Sequence, residues 1–122
     1  MSERQPFKRG EVLLAALPFV TDPSQAKVRP VVVIQNDVGN RFSPNLIVAG
    51  ISSRLPPREF PTDLIVRAGS EANEGSGLDR DSVVQGSYII TIPKAMVVRH
   101  LGQFSEAAMQ AIDQRLKVSL RL

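Results

Sequence analysis

Two stretches of this chain end in groups that could act together on a phosphodiester. In the first, Arg29-Pro30 is followed by Val31-Val32-Val33-Ile34, which sets a guanidinium at the head of a β-branched run. The second, Leu46 to Ile51, is apolar and ends in two hydroxyls, Ser52 and Ser53. A guanidinium offers a rigid fork of donors matched to phosphate oxygens. The chain has no cysteine and one histidine, so the usual nucleophiles and bases are nearly absent. Chemistry built on an arginine and a hydroxyl favours a phosphodiester over most other substrates. Each residue also has a plainer reading. Arg29 could make a strand-edge surface ion pair, worth little, and Ser52 could cap a turn. Ser53 is the register alternative to Ser52: neighbouring strand residues point to opposite faces, so only one of the two can face Arg29.

The elements that would position these groups are short strands. Glu11 to Leu17 reads as a first buried strand, ended by Pro18. Pro30 is acceptable at the first residue of a strand, so the second is expected from Pro30 to Gln35. Asp37 to Asn45, with Gly39, Asn40, Ser43 and Pro44, reads as a loop, and Leu46 to Ile51 as the third strand. A fourth is expected over Asp63 to Arg67. The Gly-, Ser- and Glu-rich stretch from Ala68 to Asp81 reads as the most mobile part. Ser82 to Gln85 and Ser87 to Ile92 read as two short strands split by Gly86, at a bend or bulge. Pro93 suits the first turn of a short helix over Lys94 to Arg99. Ser105 is a natural N-cap for a final helix, in which Ala108, Met109, Ile112, Leu116 and Leu120 recur as one apolar stripe opposite Gln110, Gln114 and Lys117. Short strands followed by a terminal helix indicate a small curled antiparallel sheet or half-open barrel, sealed by helices.

At 122 residues the chain fits one domain, residues 1–122, able to bury a core without disulfides. Apolar residues at 43% and charged residues at 22% match globular averages. The absence of cysteine fits a reducing cytoplasm, and with a polar N-terminus and no long apolar run neither a signal peptide nor a membrane span is expected. The net charge of +3 is unevenly spread. Lys27, Arg29, Arg41, Arg54 and Arg58 are opposed over their stretch only by Asp37, whereas Glu71, Glu74, Asp79 and Asp81 surround only Arg80. The basic stretch suits a phosphate backbone or an acidic peptide.

The order of several motifs adds to this. Lys8-Arg9-Gly10-Glu11-Val12, Val28-Arg29-Pro30, Val33-Ile34-Gln35-Asn36-Asp37, Gly39-Asn40-Arg41-Phe42-Ser43-Pro44 and Ile47-Val48-Ala49-Gly50-Ile51-Ser52-Ser53 are followed by Pro61-Thr62, Arg80-Asp81-Ser82-Val83 and Thr91-Ile92-Pro93-Lys94. In this order and spacing, over almost the whole chain, the sequence resembles the MazF/PemK family, the toxin halves of bacterial type II toxin–antitoxin pairs. The resemblance implies a mainly β α+β fold, an SH3-like curled antiparallel barrel with a short helix and a C-terminal helix. It also implies a homodimer and a ribosome-independent, metal-independent endoribonuclease that inhibits translation and growth. Single-stranded RNA would be the substrate, no cofactor would be needed, and a cognate antitoxin with an acidic C-terminal segment would hold the toxin in check. Other toxins sharing the fold poison DNA gyrase by protein contact alone. That reading and an SH3-like adaptor for acidic peptides are the non-enzymatic alternatives.

Residue by residue, the resemblance makes Arg29 the catalytic arginine of the R-P pair. Ser52 falls where the family has a threonine, keeping the hydroxyl but losing the methyl that restricts rotation. The reaction implied is attack of a ribose 2′-hydroxyl on its own phosphate, giving a 2′,3′-cyclic phosphate and a 5′-hydroxyl. Arginine keeps its proton, so the role expected of Arg29 is electrostatic. Gln25, Asn36, Asn40, Arg41 and Phe42 are candidate base readers, by amide hydrogen bonds or stacking, with Lys27 and Arg54 as further RNA contacts. The family's first loop carries an acid where this chain has Ser24, and Tyr88 and Ile90 replace polar family residues that could touch RNA or partner. His100 is expected at a helix end, outside the reaction.

Overall fold

The computed structural model describes residues 6–17 and 27–122; the candidate base reader Gln25 lies outside them, as does all but Lys27 of Thr21 to Lys27, a stretch whose turn residues read as a loop. Six strands form one antiparallel sheet: β1 (Glu11–Leu17), β2 (Lys27–Val33), β3 (Asn45–Ser52), β4 (Asp63–Val66), β5 (Ser82–Pro93) and β6 (Val97–Gln103), in the order β4-β5-β3-β2-β1-β6. A one-and-a-half-turn helix, α1 (Asp37–Phe42), joins β2 to β3, and a longer helix, α2 (Glu106–Leu120), closes the chain. The sheet curls without closing, so the half-open form expected of the strand pattern is the one observed.

Strict alternation divides the core in two. On one face Val12, Val32, Ala49, Ile51, Leu64, Val66 and Val84 are buried under Phe104, Ala108, Met109, Ile112 and Leu116. On the other, inside the curl, Phe7 covers Leu13, Ala15, Leu17, Val31, Val33, Leu46, Val48 and Ile92. A strand buried on both sides needs apolar residues at every position, which is why β2 and β3 read as continuous apolar runs. Helix α2 starts where expected: Ala108 N–H donates to the Ser105 hydroxyl at 3.1 Å. Arg9 pins the helix to the sheet, donating from Nε to the Ile34 carbonyl at 2.8 Å and from Nη2 to Asp113 at 2.6 Å.

Several expectations are corrected. Strand β2 begins at Lys27 rather than Pro30 and ends at Val33. The loop expected over Asp37 to Asn45 contains α1, because Asn36 caps it through Gly39 N–H at 2.8 Å. The two short strands expected around Gly86 are one, β5, bent there as foreseen. Ala49 lies opposite Ile89 and Gly50 opposite Gln85, so Gly86, Ser87 and Tyr88 bulge out of the ladder. Only glycine fits at position 86, since a Cβ would stand 2.5 Å from the Thr62 carbonyl oxygen.

The helix expected over Lys94 to Arg99 shrinks to a 3₁₀ turn, Lys94–Met96, and the chain then runs as edge strand β6. An edge strand exposed on one side carries little apolar pattern, so it was not legible. The loop from Ala68 to Asp81 is tied down rather than loose. Its 3₁₀ turn, Glu71–Asn73, is braced by Gln103 N–H on the Gly75 carbonyl at 2.8 Å, and Asp81 accepts from Ala68 N–H at 2.8 Å. That backbone bond and the Arg67 guanidinium hold the Asp81 carboxyl below its ordinary range. The stripe of α2 stops at Leu116; Leu120 is largely exposed. Among the described residues no helix is long and apolar enough to cross a membrane.

Candidate active site

Register brings the guanidinium and one hydroxyl together. Strands β2 and β3 pair Val31 with Gly50, Val32 with Ala49 and Val33 with Val48. The ladder ends at Val31 and Gly50; continued two places, the same antiparallel register would bring Arg29 opposite Ser52. Alternation agrees: Arg29 shares a face with Val31 and Val33, and Ser52 shares one with Leu46, Val48 and Gly50, all on the inner side of the curl. Ser53 lies one residue past the end of β3, in a bend, outside that alternation. The Ser52 hydroxyl accepts from Arg54 N–H at 3.1 Å, which turns the chain at the end of β3 and leaves its proton for another acceptor.

Arg29 and Ser52 line a cleft of about 520 Å³, together with Pro30, Ser53, Arg54, Gln85 and Tyr88. Among the described residues no carboxylate lines it. Arg29 is exposed, and among the described residues it makes no ion pair. The surface salt bridge offered as its plainer reading is therefore absent from them, and its charge faces the cleft. A second cleft of about 310 Å³ meets the first at Arg29, Pro30, Ile51, Ser52 and Ser53, and extends to Arg80 and Arg99.

Tyr88 owes its place to the β5 bulge. Its ring lies against Gly50, where a Cβ would stand 2.9 Å from Cδ1. Gly50 is on the Arg29–Ser52 face, so the half-exposed ring forms a wall of the same cleft. Gln85, opposite Gly50 on β5, adds an amide. Sequence reading noticed Tyr88 only as a departure from the family and passed over Gln85, Arg80 and Arg99. The Gly86 signal was the available clue, because a bulge in β5 re-aims the residues beside it.

The remaining candidates are dispersed. Arg41 and Phe42 stack on each other, with 5.4 Å from the guanidinium carbon to the ring centroid. They precede β3, whereas Ser52 ends it, and eight residues of strand put roughly 23 Å between the two ends. Asn40 is fully buried. Its amide donates to the Gln35 carbonyl at 2.8 Å and to Asp37 at 3.1 Å, and accepts from Gln35 Nε2 at 3.0 Å. Those bonds hold α1, so Asn40 is corrected from base reader to structural amide. Asn36 is spent on the cap and lies beside α2, away from both clefts. Lys27, at the start of β2, lines neither. His100 sits on β6, not at a helix end; its Nδ1 lies 2.5 Å from Oε2 of the buried Glu11, and it too lines neither cleft.

The family model described as PemK-like, MazF-like toxin of type II toxin–antitoxin system matches residues 8–120. The chain is 39% identical over 115 residues to endoribonuclease EndoA of Bacillus subtilis, covering 94% of this chain and 95% of that protein. In fold it is similar to an endoribonuclease from a mycobacterial species solved with its cognate antitoxin, at TM-score 0.73 and 22% identity, covering 95% and 96% of the two chains. It is similar also to MazF of Deinococcus radiodurans, at TM-score 0.73 and 13% identity over 98% of this chain and 100% of that one.

Proposed function

Because this chain belongs to the PemK-like, MazF-like toxin family of type II toxin–antitoxin systems, we propose that it is an endoribonuclease whose reaction runs between Arg29 and Ser52. The observation that carries this reading is the pair itself: a guanidinium and a hydroxyl lining one cleft where, among the described residues, the guanidinium has no ion pair and no carboxylate is present. Such a surface attracts a phosphodiester and repels none of its charge.

The 2′-hydroxyl attacks the phosphorus it is already tethered to, so the nucleophile is delivered by geometry rather than by a metal-activated water. Charge grows on the non-bridging oxygens as the bond forms. Arg29 meets that charge with its fork of donors and Ser52 adds one more. The P–O5′ bond then breaks, leaving a 2′,3′-cyclic phosphate on one fragment and a 5′-hydroxyl on the other. Tyr88 and Gln85 offer a ring and an amide to the neighbouring base.

The partners follow from the same reading. The family's antitoxins and the protein named as solved with its antitoxin support a cognate antitoxin here, whose acidic segment would compete with RNA for the basic clefts. Exposed Leu120 and Leu122 border a groove of about 780 Å³ with Ile34, Ile47 and Ile89, apolar surface that a homodimer would cover. A cytoplasmic site of action is part of this proposal.

The deciding experiment is incubation of the purified protein with naked single-stranded RNA in EDTA. Cleavage with a 5′-hydroxyl on the downstream fragment is expected. A strict magnesium requirement or a 5′-phosphate would defeat the mechanism, and no cleavage under any condition would favour a toxin acting by protein contact.

A further inference from the structure

We propose that the second cleft binds the RNA backbone on the far side of the cut, with Arg99 and Arg80 as its phosphate contacts. This rests on the endonuclease reading above. A strand cut internally must leave the reacting phosphate in both directions, and two clefts leave the Arg29–Ser52 pair. One lies toward Tyr88 on the inner face. The other passes over the end of β2 and β3 to the opposite face, where Pro30 and Ile51 point.

The register places Arg99 on that path. Leu14 pairs with Pro30 on one side and with Arg99 on the other. Arg99 thus shares a row and a face with Pro30, two strands away, or about 10 Å between backbones. An arginine side chain spans much of that distance.

The chemistry of the two clefts differs in the way a nucleotide chain requires. The first holds an aromatic ring and an amide, suited to a base. Among the described residues the second holds three guanidinia, Arg29, Arg80 and Arg99, against one acid, Asp79. Arg99 is exposed, and its side chain makes no ion pair or hydrogen bond among the described residues. Arg80 touches Asp79 at 3.4 Å, but both side chains are mostly in solvent, so a phosphate can take the guanidinium. The Arg80 backbone is held in place, since the Ser82 hydroxyl donates to its carbonyl at 2.9 Å.

The test uses the full-length protein and a single-stranded RNA carrying its mapped cut site, with kcat and KM followed against salt. Arg99→Ala and Arg80→Ala should each raise KM and flatten the log–log salt slope of kcat/KM by about 0.7, the share of one phosphate contact on a single strand. Saturated kcat should stay within about twofold, and Arg99→Lys should restore the slope. An RNA shortened to end just past the cut, on the side lying in the second cleft, should no longer respond to Arg99→Ala.

If wild type cuts RNA while Arg99→Ala leaves KM and slope unchanged, the inference falls and the endonuclease reading stands. If RNA shortened on either side responds to Arg99→Ala as the full substrate does, the assigned path is wrong. If Arg99→Ala weakens only an acidic peptide, the cleft belongs to a protein partner. If wild type cuts no RNA, both readings fall.

Discussion

The Tyr88 ring occupies the space that a side chain at Gly50 would need, 2.9 Å from the position of a Cβ. The pair joins the β5 bulge to the strand that carries Ser52. A bulge three residues long is thereby turned into a cleft wall two residues from the proposed reaction centre. Tyr88→Ala should leave the fold intact, because the ring is 43% exposed, but should relax the preference for the base beside the cut. A stacked base is worth about 1–3 kcal/mol, so KM for the preferred sequence should rise roughly 5- to 160-fold. Mapping cut sites across a mixed RNA would check this; an unchanged site preference would remove Tyr88 from recognition.

Arg29→Ala and Ser52→Ala should each lower the cleavage rate by roughly 10²–10³, the scale of one lost donor to a developing oxyanion. Ser52→Thr should remain active, and Ser53→Ala should be close to wild type because Ser53 stands past the end of β3, outside the register that carries Ser52 toward Arg29. Single-turnover rates on one RNA would decide it. Damage from Ser53→Ala with Ser52→Ala silent would mean the register beyond Val31–Gly50 slips by one.

His100→Ala should change stability rather than chemistry. Its imidazole faces Glu11, which is buried, so truncation takes a partner from a buried carboxylate at a cost of about 1–3 kcal/mol. Lys8 N–H still donates to the other oxygen at 3.1 Å, which favours the low end. Melting should shift down with cleavage at saturation within a few-fold. A collapse in rate without loss of fold would assign His100 to the reaction.

Asp63 is buried on β4, and desolvation, helped by nearby Glu59, raises its carboxyl above the ordinary value. A raised folded value means the folded state binds the proton more tightly. The favourable contribution is then present below the unfolded value, about 3.9, and is lost as pH rises through the folded one. At neutral pH the charged form is the penalised one, so Asp63→Asn should melt higher than wild type at pH 7. The gap should narrow as pH falls toward 4 and below. A constant gap across that range would show that titration is not its cause.

The apolar runs of β1, β2 and β3, the Ser105 cap and the buried stripe of α2 were legible in the sequence because each depends on local periodicity or a local hydrogen bond. An arginine and a hydroxyl were legible as the candidate groups too, by residue type alone, although Arg29 stands third in β2 rather than at its head. Strand β6 and helix α1 were not. The first is an edge with little apolar pattern, and the second is six residues held by the Asn36 cap and the buried amide of Asn40. Whether Ser52 or Ser53 faces Arg29 depends on which residues of β2 and β3 pair, a long-range register that neither strand encodes alone. Tyr88 and Arg99 stand beside the same pair only because β5 bulges at Gly86 and β6 returns along β1. Sequence chemistry supplied the groups; strand pairing across distant segments decided which of them meet.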